Sequence, residues 1–162
     1  MVALDKINCK ILNLLQENCR ISLTDIAKKT NLSIDSVKKR VDKLSSSNLY
    51  VPKIQMRPRY FGYDNVVDVK IKLSKYSEND LAQFVEYLTS NHLIVEVIAI
   101  SGEWDFTIVF IAKNSIEINE ISNEIKTNFS HIIDKWSESL TTKVYKFEKY
   151  DMLKILNLNE NE

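Results

Sequence analysis

The hydrophobic period of this chain changes once, and the change falls on the only two prolines. Before "VPKIQMRPRYFG", residues 51–62, apolar residues recur at helical spacing; after it they alternate. Proline fixes φ, lacks an N–H and biases its predecessor away from helix, so no helix runs through Pro52 and Pro58. A chain of 162 residues has room for one ordinary domain or two small ones. The period change favours two, with the boundary at this stretch.

Upstream, Leu4, Ile7, Ile11, Leu14 and Leu15 mark a first helix over residues 4–17. "SLTD" follows, with Ser22 as N-cap and Asp25 three residues on, a variant of the capping box. This second helix ends near Thr30. After a very short turn, Ser33 caps a third helix from Ile34 to about Ser45. Downstream, Val67, Val69, Ile71 and Leu73 alternate with Asp68, Lys70 and Lys72, the pattern of a half-buried strand. Leu81, Phe84, Val85 and Leu88 predict a helix over 78–90. Strands are predicted at 94–100 and 105–112, a helix through Ile118, Ile121, Ile125 and Phe129, and a last strand at 140–150. Strand, helix, strand, strand, helix, strand is the split β-α-β order, a four-stranded sheet with helices on one face. The closing "NLNENE" reads as a frayed tail.

Charge divides at the same place. Residues 1–60 hold twelve Lys/Arg against five Asp/Glu, and the remainder holds ten against seventeen, although the whole chain is neutral. A basic module joined to an acidic one points to a polyanion as partner of the first. The positive charge concentrates in "SIDSVKKRVDKL". With Ile34 at zero and about 100° per residue, Val37, Val41 and Leu44 join it on one stripe. Ser36, Lys39, Arg40 and Lys43 fall on the opposite face, and Lys38 at its rim. The plain reading is a solvated helix face. Yet two helices joined by a short turn form a helix-turn-helix, whose second helix enters the major groove of DNA. Ser36 and Lys39 then reach toward bases, and Arg40 and Lys43 toward phosphates.

Residues 4–49 resemble the DNA-binding domain of the Lrp/AsnC (feast/famine) transcriptional regulators. The matching elements are Leu4-Asp5, Ile11-Leu12, Arg20, Ile26-Ala27, Leu32-Ser33, Val37, Arg40-Val41 and Leu44. Further on, Gly62 and "SGEWDF" match the glycine before that family's first effector-domain strand and its Gly-x-x-Asp-apolar element. The resemblance spans residues 3–150. Where the family has Gly-Val-Ile after the third helix, this chain has Asn48-Leu49-Tyr50, and Asn tolerates the left-handed turn required there. Pro52 then interrupts the strand of any wing.

The resemblance implies an α+β protein: an N-terminal (winged) helix-turn-helix domain over residues 1–50, a linker over 51–63, a C-terminal βαββαβ ferredoxin-like effector and dimerisation domain over 64–150, and a tail over 151–162. It implies double-stranded DNA as partner, met by Arg20, Ser33, Ser36, Lys38, Lys39, Arg40 and Lys43. It also implies a small-molecule effector, such as an amino acid, near Ser101, Gly102, Glu103, Trp104 and Asp105. Asp105 or Glu103 is the acid available to an ammonium group, although an Asp in such a place more often simply caps its own turn.

A sheet with one bare face predicts a homodimer, or a higher homo-oligomer, through exposed apolar surface. No catalytic residue, metal-ligand set or cofactor is expected, since His92 and His131 lie far apart and no paired constellation occurs. The enzymatic alternative is a sirohaem decarboxylase on the same two-domain scaffold, and a third reading is a scaffold protein with a vestigial first domain. The sequence has no apolar run of about 20 residues and no secretory signal pattern. Its two cysteines are about 15 Å apart along one helix, so the expected compartment is the cytoplasm.

Overall fold

The computed structural model describes residues 3–158. The chain forms two compact units: one of the residues up to Gln55 together with those from Tyr145 onward, the other of Met56–Val144.

In the first unit, α1 (Lys6–Glu17), α2 (Leu23–Thr30) and α3 (Ile34–Ser45) begin where short polar residues cap them. The side chains of Asp5, Ser22 and Ser33 accept from the backbone N–H of Asn8, Asp25 and Ser36, each satisfying an otherwise orphaned donor. Asn31 adopts the left-handed conformation (φ 55°) and closes α2, so only Asn31, Leu32 and Ser33 separate α2 from α3. Ile11, Leu12, Ile26, Ala27, Val37 and Leu44 form the core. Each of the larger ones contributes about 1.5–3 kcal/mol by leaving water. Ile34 departs from the predicted stripe and is 48% exposed. It lies in the first turn of α3.

Asn48 takes the left-handed conformation (φ 56°), as its composition predicted. Residues 50–57 then carry no helix or strand, so the wing is absent among the described residues. Pro52 removes one ladder donor, and Val51 and Ile54 are exposed.

The tail also differs from expectation. Residues from Tyr145 onward return to the first unit, and α6 (Met152–Ile155) packs on α1 through buried Leu153. The Gln16 amide donates to the Tyr150 carbonyl and accepts from the Tyr150 N–H, both at 2.8 Å. Asn13 accepts from the Met152 N–H at 2.9 Å. The segment is therefore strapped down through Leu158; the rest of the predicted frayed tail, 159–162, lies outside the described residues.

The second unit opens with a 3₁₀ turn, Pro58–Phe61, ended by Gly62 at φ 92°. It continues as β1 (Asn65–Leu73), α4 (Glu78–Ser90), β2 (Ile94–Ala99), β3 (Phe106–Ala112), α5 (Ser115–Asn128) and β4 (Ile133–Leu140). The sheet is antiparallel in the order β2-β3-β1-β4. Val67, Val69 and Ile71 of β1 and Ile108 and Phe110 of β3 meet Phe84, Leu88 and Ile125 in one core. Phe84 sits edge-on to Phe106 and Phe129, with centroids 5.7 and 5.0 Å apart.

The last strand is β4 at 133–140, where the sequence reading placed it at 140–150. An edge strand needs few apolar residues, and "IDKWSESL" carries only Ile133, Trp136 and Leu140. The alternation that suggested a later strand belongs to residues that leave the sheet.

Candidate nucleic-acid interface and effector loop

The turn between α2 and α3 sets the outward face of α3. With Val37 and Leu44 fully buried, helical spacing turns Ser36, Lys39 and Lys43 to solvent, and all three are exposed. They line a shallow groove with Ala3, Asp5, Asn8 and Arg40. Among the described residues, the Lys39 and Lys43 ammonium groups are engaged in no ion pair. The Ser33 hydroxyl donates to Ser36 Oγ at 2.9 Å while capping the helix, so these two predicted residues act as one capped N-terminal turn. Lys38 is exposed at the rim. Arg20 is exposed in the loop before α2, its backbone N–H donating to Asn18 Oδ1 at 3.0 Å.

Arg40 departs from its predicted role as an outward cation. Its Nη1 donates to Asp5 Oδ2 at 2.7 Å and to Asn8 Oδ1 at 2.8 Å, tying α3 to the start of α1. Asn8 is buried and fully bonded, its Nδ2 donating to the Ala3 carbonyl at 2.7 Å. Partial burial opposes ionisation of Asp5. The Asn8 N–H and the Arg40 guanidinium outweigh it and hold the carboxyl below its ordinary 3.8. Sequence reading missed Asp5 and Asn8 as members of this face. Asp5 was legible as the polar residue preceding the first helical stripe; Asn8 has no such signal.

The loop between β2 and β3 is held by Asp105. Its Oδ1 accepts from Lys72 Nζ at 2.9 Å and its Oδ2 from the Leu73 N–H at 2.8 Å. Its own N–H donates to the Ile71 carbonyl at 3.0 Å. Burial opposes its ionisation, but these donors prevail and its pKa lies below 3.8. Each carboxylate oxygen of Asp105 thus already holds one donor within its own turn, whereas Glu103 is exposed. Ser101 and Gly102 are exposed, and Trp104 is half-buried. Gly102 has φ 139°, a conformation that L side chains rarely adopt, which explains a glycine there.

The bare face of the sheet mixes charged and apolar residues. Register places Glu96, Val109, Asp68 and Ser139 in one row, and Ile98, Thr107, Lys70 and Ser137 in the next. Lys72 and Lys135 follow. β1 gives this face Asp68, Lys70 and Lys72; β2 gives it Glu96 and the exposed Ile98, and β4 gives it Lys135 with Ser137 and Ser139.

A capped helix-turn-helix with a cationic outer face, joined to a four-stranded α+β unit, defines a two-part DNA-binding protein. Residues 4–45 match the AsnC-type helix-turn-helix domain. The transcriptional regulator FL11 of Pyrococcus horikoshii is 34% identical over 124 residues, which cover 73% of this chain and 77% of FL11. The leucine-responsive regulatory protein of Rhizobium meliloti is 31% identical over 114 residues, 70% of this chain and 73% of that one. A transcriptional regulator from Neisseria meningitidis, solved in complex with L-Met, shares the fold with a TM-score of 0.82 at 17% identity, over 91% of this chain and 96% of its own.

The chain belongs to the Lrp/AsnC family of DNA-binding transcriptional regulators. Its relatives are regulators rather than enzymes, which sets aside the decarboxylase alternative. Among the described residues, no helix is long and apolar enough to cross a membrane.

Proposed function

We propose that the protein reads double-stranded DNA through the first turns of α3, as a homodimer or higher homo-oligomer in the cytoplasm, with a small effector acting at the loop of residues 101–105. The observation that carries the first part is the exposure of Ser36, Lys39 and Lys43 on one face of a helix whose opposite stripe holds the fully buried Val37 and Leu44. Ser36 and Lys39, near the helix start, suit base edges, and Lys43, a turn later, suits a phosphate. Lys38 and Arg20 extend the cationic surface on either side. A twofold dimer meets two half-sites about 34 Å, one helical turn, apart, so the site is near-palindromic.

The bare sheet face supports the dimer. An acidic row containing Glu96 and Asp68 lies beside basic Lys70, Lys72 and Lys135. A twofold stack of two such faces, with its axis along the rows, sets the acidic row of one protomer over the basic residues of its partner. For the effector, backbone N–H groups around Ser101 and Gly102 suit a carboxylate, and Glu103 suits an ammonium group. That pairing describes an amino acid.

Selection of bound duplexes from random DNA, with and without a panel of amino acids, tests the reading. The expected result is an inverted repeat whose recovery changes with at least one amino acid. Recovery of no sequence above background, with the protein folded, overturns the DNA assignment; recovery that no amino acid alters overturns the effector assignment.

A further inference from the structure

Arg40 belongs to the cationic ridge in sequence, but its guanidinium is paired with the start of α1. We infer that Arg40 is a positioning residue, its guanidinium bracing α3 against the start of α1 through Asp5 and Asn8 and so fixing the tilt at which the recognition helix is presented to DNA. The inference rests on the proposed reading of α3 as the DNA-facing helix.

Three observations support it. First, one nitrogen, Nη1, donates to two acceptors on α1, at 2.7 and 2.8 Å, so the guanidinium is located in two directions. Second, one acceptor is buried. Asn8 is 6% exposed, and its amide is consumed by Arg40 on the oxygen and by the Ala3 carbonyl on the nitrogen. A buried amide left without Arg40 has an orphaned oxygen, so the arrangement is costly to abandon for a phosphate. Third, Asp5 carries two roles at once. Its Oδ1 caps α1 through the Asn8 N–H, and its Oδ2 takes Arg40. The cap and the brace share one carboxylate, so the axis of α1 and the rotation of α3 are set together. Arg40 stands one residue from Lys39 and one helical turn from Ser36, and a change in its attachment moves those side chains with it.

A phosphate-contact role and a positioning role give opposite results for Asp5→Asn. The substitution removes a negative charge beside the DNA and frees the guanidinium, yet Asn caps a helix as well as Asp. If Arg40 holds a phosphate, affinity for every duplex rises. If Arg40 positions α3, the preference for the selected site over a scrambled duplex of the same length falls. One misplaced base contact lowers that preference by roughly 5- to 150-fold.

The experiment measures binding of the full-length protein to both duplexes across salt concentrations, at a temperature well below the melt of each variant. The variants are Asp5→Asn, Arg40→Met and the double substitution. The expected result is a reduced preference in both single variants and no further reduction in the double, with the slope of log K against log salt unchanged. A drop in slope of about 0.9 per protomer in Arg40→Met, with preference intact, overturns the inference. So does a rise in affinity for both duplexes in Asp5→Asn with the preference for the selected site intact. Because Asp5→Asn keeps the cap, it carries the test if Arg40→Met does not stay folded. Failure of the unsubstituted protein to prefer any duplex instead overturns the DNA-binding reading itself.

Discussion

Replacing Lys43 by Ala separates an electrostatic contact from a structural one. Lys43 is exposed on α3, one turn beyond Lys39, and the core residue beside it, Leu44, is fully buried without its help. The substitution therefore leaves the fold nearly unchanged, since Ala is a strong helix former. A phosphate contact contributes about 0.9 to the slope of log K against log salt. In a dimer the loss occurs twice, so the slope falls by about 1.8. Between about 50 and 200 mM salt, the advantage of the unsubstituted protein over the variant shrinks roughly twelvefold. Fluorescence anisotropy of a labelled duplex across that range reads the slope directly. The loss is expected to be similar for specific and scrambled DNA, because a phosphate contact carries no sequence information. A slope unchanged in Lys43→Ala and in Lys39→Ala alike refutes the docking of this face on DNA.

Leu153→Ala, at a nearly buried position of the returning segment, is expected to cost the first unit about 2 kcal/mol, the low end for Leu→Ala at a site near the surface. Faster hydrogen exchange of the α1 amides is the measurement, and unchanged protection contradicts the strap. Gly102→Ala forces a side chain into a left-handed conformation and is expected to destabilise the second unit by about 1–3 kcal/mol, read by urea unfolding. The lowered pKa of Asp105 means that its bonds to Lys72 and Leu73 contribute stability above 3.8, the ordinary carboxyl value, and lose it as pH falls through the lowered one. The stability difference between the unsubstituted protein and Asp105→Asn is therefore expected to shrink as pH falls below 3.8; a difference independent of pH contradicts this account.

The helical half of the molecule was readable because its signals are local. Ser22 and Ser33 stand where caps must stand, and Val37 and Leu44 recur with the period of one buried stripe. The first three strands were readable for the same reason, since Val67, Val69 and Ile71 face one core. The fourth was not. On β4 the inward position opposite Val69 is held by Glu138, which accepts from Ser122 at 2.7 Å and from Trp136 Nε1 at 2.9 Å. A carboxylate satisfied by a buried hydroxyl breaks the alternation that marks a strand. The return of residues 145–158 was equally hidden, because Asn13 and Gln16 hold backbone groups and backbone leaves no pattern in sequence.

At the candidate site, the cationic face followed from helix geometry, but the direction of Arg40 did not. The wheel placed it on the face opposite the apolar stripe, and a wheel carries no information about a neighbouring helix. The presence of Asp5 and buried Asn8 on α1 decided it. Asp105 shows the same limit, since its partner Lys72 lies thirty-three residues away in sequence.

The central claim is that the exposed face of α3 lies against DNA. Titration of the isotopically labelled protein with a selected duplex, followed by backbone amide chemical shifts, tests it residue by residue. The account predicts the largest shifts at Ser36, Lys39 and Lys43, with Val37 and Leu44 moving less. Shifts concentrated elsewhere, with residues 33–43 unmoved at saturation, contradict it.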